Sequence, residues 1–574
     1  MDPISLQVIH NATEEIIHLL TVNMLRTGYS TIIKEQMDVT FAILNKKGQI
    51  VGQYFVEPIH LGVICGQIDE IIERYKNDIH ENDSFIVNHP YQRCQNHSTD
   101  VTLISPIFYK EEHIGFVGNT AHKPDLGGKV PGTNAGDSTD SFQDGLLIPP
   151  LKLYDRGKLN NELHQIIICN TRTPEITWGD IRGQALTNLF GAQKITELID
   201  KYSKKEVLEC WDRWIEICEA ELRKAISKIP DGTYGPVTDW MDDDGLEPFN
   251  PYYITVTLRK KGDELHFIVD SEKEARGPIN LRPCLTRCII EYCVKAALAP
   301  NLPNNSGISK PIKITFPLPG HLLNPVFPAS VNMYAMTCAR LSPIVMMVLA
   351  QCIPDRVPAP ASGAIGAISF AGGNPRTGRW YSEYEILAGG YGGRPTKDGV
   401  SAMDFDGSNT MNTPVEAVES EFPTMITRYE LLPDSAGAGQ FRGGLGVRRI
   451  WKPTVDNVTL NIRTDRFKYS SPGIFGAKPA RVSKMFLKRD GGLKNLPSKA
   501  AGILLRKGDE ILWELGGGGG WGNPLKRDSK LVLDDVRGGY VSIEQAKESY
   551  GVVIDPESMT IKDDETNFLR RSLQ

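Results

Sequence analysis

At 574 residues the chain is several times the usual domain length, so two or three substructures around sizeable cores are expected. Apolar residues at 40%, charged residues at 23%, 54 glycines and 37 prolines describe a loop-rich globular protein and exclude a fibrous or disordered one. Lys plus Arg (64) nearly balance Asp plus Glu (70), with no run of like charge, which argues against nucleic acid or an anionic membrane as a partner.

The chain begins MDPISLQVIHNATEEIIHLL, where Asp2 and Pro3 form an N-cap and first-turn pair. Ile4, Val8, Ile9, Ile16, Leu19 and Leu20 then recur at helical spacing up to Gly28. His10, Glu14, Glu15 and His18 interrupt the apolar pattern, so this is expected to be a helix of a soluble protein, neither a signal peptide nor a membrane span. From 38 to 170 the pattern changes to short β-rich runs, VTFAILN, SFIVN, VTLISPIFY and IGFVGNTA. Between 178 and 228 the helical period returns in two long helices joined near Ser203. Strands YYITVTLRK and LHFIVD follow, then a helical stretch at 283–298 and a Gly/Pro-punctuated region to about 525 that reads as a large mixed β domain. The tail reads as a short helix, a turn, and a second helix capped by Ser542.

The fold class expected is therefore α+β, a mixed α/β multi-domain chain. Its divisions are a β-rich N-terminal region over 1–175, a helical pair over 176–230, a mixed β domain over 231–525 and a helical tail over 526–574. The ten cysteines never form C-x-x-C and several sit in apolar surroundings, so they read as buried reduced thiols of a cytoplasmic protein.

Two stretches carry the chemistry. HSTD at 97–100 and HKPD at 122–125 both read His-x-x-Asp, and between them lie VTLISPIFY, the polar turn KEEH and IGFVGNTA. That is a β-hairpin, 101–109 against 114–121, and a hairpin brings its outer ends side by side. His97 and Asp100 on one side and His122 and Asp125 on the other thus become one cluster suited to Zn, Mn or Fe, which take mixed nitrogen and oxygen ligands. Taken singly, each motif reads as turn-capping residues; the pairing across one hairpin favours the metal. Asp38 at the mouth of a strand and His60 after a Pro-containing turn are further candidates, as are His89 and Cys94, whereas His113 in the hairpin turn is expected to face solvent at the far end.

The glycine runs at 389–395 and 516–524 lack the G-x-x-x-x-G-K-[ST] form and are expected to serve close backbone packing, leaving no nucleotide site in this chain. No G-x-S-x-G elbow is present either.

IHLG at 59–62, NHPY at 88–91, HSTD, AHKPDLGG at 121–128, NTRTPE at 170–175, YELLPDSAGAGQFRGGLG at 429–446 and GGGGGWGNP at 516–524 resemble, in order and spacing, the hydantoinase B family, and the resemblance runs over nearly the whole chain. It implies one component of a heteromeric, cytoplasmic enzyme whose hydantoinase A-like partner binds ATP with Mg and phosphorylates the substrate. The reaction implied is hydrolysis of a cyclic amide such as a hydantoin, 5-oxoproline or a lactam. The alternative branch is an ATP-dependent ketone carboxylase of the acetone or acetophenone type, forming a carbon–carbon bond with CO2 or bicarbonate. A third reading makes the chain a scaffold for its ATP-binding partner. The resemblance also assigns Asp38, His97, Asp100 and His122 as ligands of a divalent metal, and leaves His60 and Asp125 as proton-transfer or supporting residues. The chain departs from most family members in having His89 in place of Asp, Lys123 in place of a second His, and one more residue between Tyr91 and His97.

Overall fold

A computed structural model describes residues 1–55, 58–60, 62–248 and 250–573; Leu61 of the IHLG stretch lies outside them. Helix α1 (Pro3–Thr27) starts where the sequence places it: the Asp2 carboxylate accepts the N–H groups of Ile4 and Ser5, both at 3.0 Å, with Pro3 in the first turn. Helix α2 (Thr31–Lys34) leads into β1 (Val39–Asn45) and β2 (Ile50–Phe55), followed by α3 (Val63–Tyr75). The strands β3 (Ser84–Val87), β4 (Asp100–Tyr109), β5 (Glu112–His122), β6 (Leu151–Asp155) and β7 (Lys158–Leu159) complete an antiparallel sheet of order β2-β1-β5-β4-β3-β6-β7.

Both faces of this sheet are covered, which is why β1 reads VTFAILN without polar alternation. Val39, Phe41 and Ile43 join α1 in one core. Ala42 and Leu44 face the other way, onto Ile64, Ile68 and Ile71 of α3. The central hairpin forms as expected but longer, with Asp100 paired to His122 and Val101 to Ala121. Lys110 and Glu111 both take positive φ (49° and 68°), the backbone of a tight primed turn. His113 is half-buried rather than solvent-facing, because its ring packs on Phe108 and Phe116.

After α4 (Asn161–Cys169), the long helices α5 (Pro174–Tyr202) and α6 (Lys204–Ile226) meet at Ser203, which takes φ 111° and caps α6. They do not stand apart: Ile195, Leu198, Val207 and Trp211 share the core of α1 and β1.

The 231–525 region divides in two. Strands β8 (Gly232–Met241), β9 (Tyr252–Lys261), β10 (Glu264–Ser271) and β11 (Ile312–Thr315) form a sheet that packs on helices α7 (Pro283–Leu298) and α8 (Tyr334–Ala350). Helix α8 is absent from the sequence expectation. It is buried on nearly every side, so it shows no amphipathic period, and Pro343 inside it reads as a breaker.

The second part holds β12 (Gly366–Asn374), β13 (Arg379–Leu387), α9 (Val415–Glu421), β14 (Thr424–Leu431), β15 (Val447–Pro453), β16 (Val458–Arg463), β17 (Lys484–Arg489), β18 (Gly492–Leu496), β19 (Lys499–Leu505) and β20 (Glu510–Glu514). Its two sheets, β13-β12-β16-β19 and β14-β15-β20-β17-β18, share one apolar core. The glycine runs pack backbone on backbone: Gly393 N–H donates to Gly519 O at 2.9 Å, and a Cβ on Gly518 would lie 2.2 Å from Tyr391 O. The tail forms α10 (Ser529–Arg537) and α11 (Ile543–Tyr550), the latter capped by Ser542 to Gln545 N at 3.0 Å, and adds α12 (Asp563–Leu573). Among the described residues, no helix is long and apolar enough to cross a membrane.

Candidate metal centre

Three neighbouring strand ends make the floor of the site. Asp38 enters β1, His122 ends β5 and Asp100 starts β4; Asp100 and His122 are in register, and the His122 N–H reaches the Asp38 carbonyl at 3.4 Å. Residues aligned this way across strands project from the same face. His97 joins them from the turn before β4, where the Asp100 N–H donates to the His97 carbonyl at 3.2 Å.

The ligand-capable atoms of His97, Asp100 and His122 lie within 4.8 Å of one another, and all three residues are buried. Asp100 Oδ1 is 2.8 Å from His122 Nδ1 and 3.1 Å from His97 Nε2. Asp100 Oδ2 accepts from Asn96 Nδ2 at 2.7 Å and from the Tyr334 hydroxyl at 3.1 Å. His60 comes from the short turn Pro58–His60. Its Nε2 stands 3.4 Å from Asp100 Oδ2 and 4.0 Å from Asp38 Oδ1, and its Nδ1 is 3.3 Å from Thr40 Oγ1.

Burial alone would raise the Asp100 carboxyl, yet the imidazoles of His97, His122 and His60 outweigh it and hold Asp100 well below the usual range. Burial pushes His122 down to about 4, so it is a neutral donor at pH 7. Burial lifts Asp38 to about 6, against the pull of His60.

The donor set suits a divalent cation. His97 Nδ1 donates to the Asn332 carbonyl at 2.9 Å, which fixes Nε2 as the lone pair facing Asp100 and His122. Asp38 Oδ1 is buried without a hydrogen-bond partner, an arrangement costly for a carboxylate unless a cation completes it.

The cavity over these residues holds about 30 Å³ of free space, room for an ion and little more. Asp38, His60, His97, Asp100 and His122 line one side. The other side comes from distant segments: Asn332, Tyr334 and Met336 at the start of α8, Tyr384 on β13 and Arg463 at the end of β16. Tyr384 stacks on His122 with centroids 4.8 Å apart. No motif spacing links Asn332, Tyr334, Tyr384 or Arg463 to the His-x-x-Asp pair, so the sequence holds no signal for them.

Asp125, expected in the cluster, is not brought to it. Its carboxylate is fully taken by the N–H groups of Gly127, Gly132 and Arg172 and by Arg172 Nη1, all at 2.8–3.0 Å, because the chain turns away after Pro124. His89 lies off the cavity, accepting from Tyr91 N and packing on Phe327, and Cys94 is buried against Gly66 of α3. Lys123 is fully buried directly behind the floor; burial brings it down to about 8, and Nζ donates to the Ala121 carbonyl at 3.0 Å.

A family model described as Hydantoinase B/oxoprolinase matches residues 2–524. A Pseudomonas protein named as the B-type component of a D-/L-hydantoinase is 32% identical over 589 aligned residues, covering 100% of this chain and 98% of the relative. The crystal structure of the ATP-dependent caprolactamase from Pseudomonas jessenii superposes with a TM-score of 0.92 at 27% identity, each chain covered in full. Nucleotide-free acetone carboxylase superposes with a TM-score of 0.94 over all of this chain and 83% of its own, but at 18% identity that likeness is one of fold alone. The chain belongs to the hydantoinase B/oxoprolinase family.

Proposed function

We propose that the chain is the B-type component of a heteromeric ATP-dependent hydrolase that opens a cyclic amide: a hydantoin, 5-oxoproline or a lactam. The observation that carries this reading is end-to-end similarity to the B-type component of a hydantoinase and to the ATP-dependent caprolactamase. A hydantoinase A-like partner would bind ATP with Mg and phosphorylate the substrate, and this chain would complete hydrolysis in the cytoplasm.

Asp38, His97, Asp100 and His122 would hold the divalent ion, Zn, Mn or Fe. When bound, such an ion acts as a Lewis acid and lowers the pKa of water. The chain's own residues do the rest. The Asn332 carbonyl keeps the His97 proton on Nδ1. Tyr334 and Asn96 hold Asp100 Oδ2 in place. His60, 3.4 Å from Asp100 Oδ2 and lining the cavity, is the group positioned to take or return a proton. Asp125 we assign instead to holding the 125–132 loop.

The test is ATP hydrolysis by the complex co-purified with its partner. It is measured with hydantoins, 5-oxoproline, lactams, acetone and acetophenone, with and without bicarbonate. Ring-opened product formed with a cyclic amide, independent of bicarbonate, is expected; bicarbonate-dependent turnover of a ketone alone would replace this reading with the carboxylase one.

A further inference from the structure

Six arginines are buried among the described residues. Five rest on carboxylates: Arg340 on Asp239 at 3.3 Å, Arg442 on Asp535 at 3.1 Å, Arg449 on Glu385 at 3.0 Å, Arg466 on Asp239 at 2.7 Å, and Arg527 on Asp398 and Asp535, each at 2.7 Å. The sixth, Arg463, is 4% exposed and forms no ion pair with any described residue. A guanidinium taken out of water without a counter-charge is costly, and proteins normally supply the anion.

What Arg463 touches is neutral. Nη1 donates to the carbonyl and the side-chain oxygen of Asn332, at 2.8 and 3.0 Å, and Nη2 donates to the Tyr384 hydroxyl at 2.9 Å. Nε is buried with no partner. Both Arg463 and Tyr384 line the metal cavity, and Tyr384, accepting from Arg463, donates its own proton to no described residue. The charges in that cavity point the same way. A divalent ion would neutralise Asp38 and Asp100, leaving the buried Asp144 carboxylate, which feels Arg463 but is not hydrogen-bonded to it, as the remaining counter-charge nearby. The planar fork of arginine matches carboxylate and phosphate oxygens with two parallel N–H donors, and the doubly charged phosphate gains more from it and from the Tyr384 hydroxyl than a carboxylate does. The cavity lining beside Arg463 also includes Met333 and Met336, unbranched thioethers able to re-pack as a larger group enters.

We propose that Arg463, with the Tyr384 hydroxyl, forms an oxyanion subsite beside the metal ligands that binds the phosphate group of the activated substrate. The assignment rests on the ATP-dependent reading above. It goes beyond that reading by naming where in this chain the transferred phosphate is held.

The test is equilibrium binding of inorganic phosphate to the full-length protein carrying the metal with which it purifies, with acetate as the control anion. Wild type is expected to bind phosphate and to prefer it to acetate. Arg463→Met at equal metal content is expected to bind phosphate about 10- to 100-fold more weakly, the loss expected for charge-assisted hydrogen bonds. If Arg463→Met does not fold by circular dichroism, Arg463→Lys carries the test, since it keeps the charge but loses the fork, and about tenfold weakening is expected. Phosphate affinity unchanged in the variant tested, no phosphate binding by wild type, or equal binding of acetate would overturn the assignment. Because the readout is binding and not turnover, an enzyme that opens cyclic amides can still fail it, and a chain that opens none can still pass.

Discussion

Asp100→Asn isolates the part of the site that the hairpin builds. The side chain is 1% exposed, and both oxygens are used: Oδ1 by His122 and His97, Oδ2 by Asn96, Tyr334 and His60. Asparagine keeps the shape and removes the charge, and its amide must place an NH2 where an acceptor stood. Turned one way, that NH2 meets Asn96 Nδ2 and the Tyr334 O–H, donor against donor. Turned the other way, it faces the two imidazoles and blocks the atom that would bind metal. Losing one charge-assisted contact of this kind costs about 1.5–3 kcal/mol, and removing one partner of a buried ionic cluster about 3–5 kcal/mol. A metal affinity at least about a hundredfold weaker is the expected result. The assay equilibrates wild type and variant with Zn(II), Mn(II) or Fe(II) against a competing chelator and counts bound metal by mass spectrometry, with circular dichroism confirming the fold. A folded variant that holds metal within threefold of wild type would refute the assignment of Asp100.

Three other perturbations separate roles that the structure assigns. His60→Gln should keep metal stoichiometry but lower turnover by about a hundredfold or more and remove one limb of the pH–rate profile; metal loss instead would make His60 a ligand. Asp125→Asn should lower the thermal midpoint, through weakened contacts to Arg172 and three backbone N–H groups, while leaving metal content unchanged, and metal depletion would show that Asp125 reaches the centre. Glu14 on α1 is largely buried, with Oε1 unpartnered, and burial, only partly offset by Lys295, moves it from its ordinary 4.5 to about 7. Its folded pKa lies above the unfolded one, so its contribution favours the fold at low pH and is lost as pH rises through about 7. The penalty above that pH is roughly 3 kcal/mol. Glu14→Gln should therefore stabilise the protein against urea at pH 8 and lose that advantage toward pH 4.5; an equal gain at both pH values would contradict the sign.

The half of the site that lies on one sheet was legible because its residues are neighbours through hydrogen-bonded strands. A β-rich run, a polar turn and a second run fix a hairpin, and the hairpin places His97 and Asp100 beside His122 whatever the rest of the chain does. Asp38 was harder: it adjoins His122 only because β1 pairs with β5, and a pairing across more than seventy residues leaves no local pattern. Asp125 misled because His-x-x-Asp repeats in sequence but not in space. Asp100 begins a strand, while Asp125 follows Pro124 into a loop held by Arg172. The far wall was illegible for a different reason. Tyr334 opens α8 and Asn332 lies in the turn just before it, and that helix is so uniformly buried that its sequence lacks the period that betrays a helix. Tyr384 and Arg463 sit on strands whose role at the site depends wholly on how the third region packs against the first.

That packing bears directly on how the centre works. His97 and His122 are aimed by groups from elsewhere in the chain: the Asn332 carbonyl at the entrance to α8 fixes the His97 proton, and the Tyr384 ring on β13 stacks on His122. Arg463 on β16 ties the two together by donating both to Asn332 and to Tyr384. Partners that fix a ligand's tautomer and orientation would tune a bound metal, and losing one typically costs about 10- to 100-fold in affinity or activity. A ligand drawing on Arg463 would therefore reach both imidazoles through contacts already in place. The floor of candidate ligands and the wall that carries Arg463 are thus one connected unit assembled from the first sheet, the approach to α8 and the β12–β13–β16 sheet. All the proposed ligands lie in the first region, but the cavity over them is closed only when all three regions are docked.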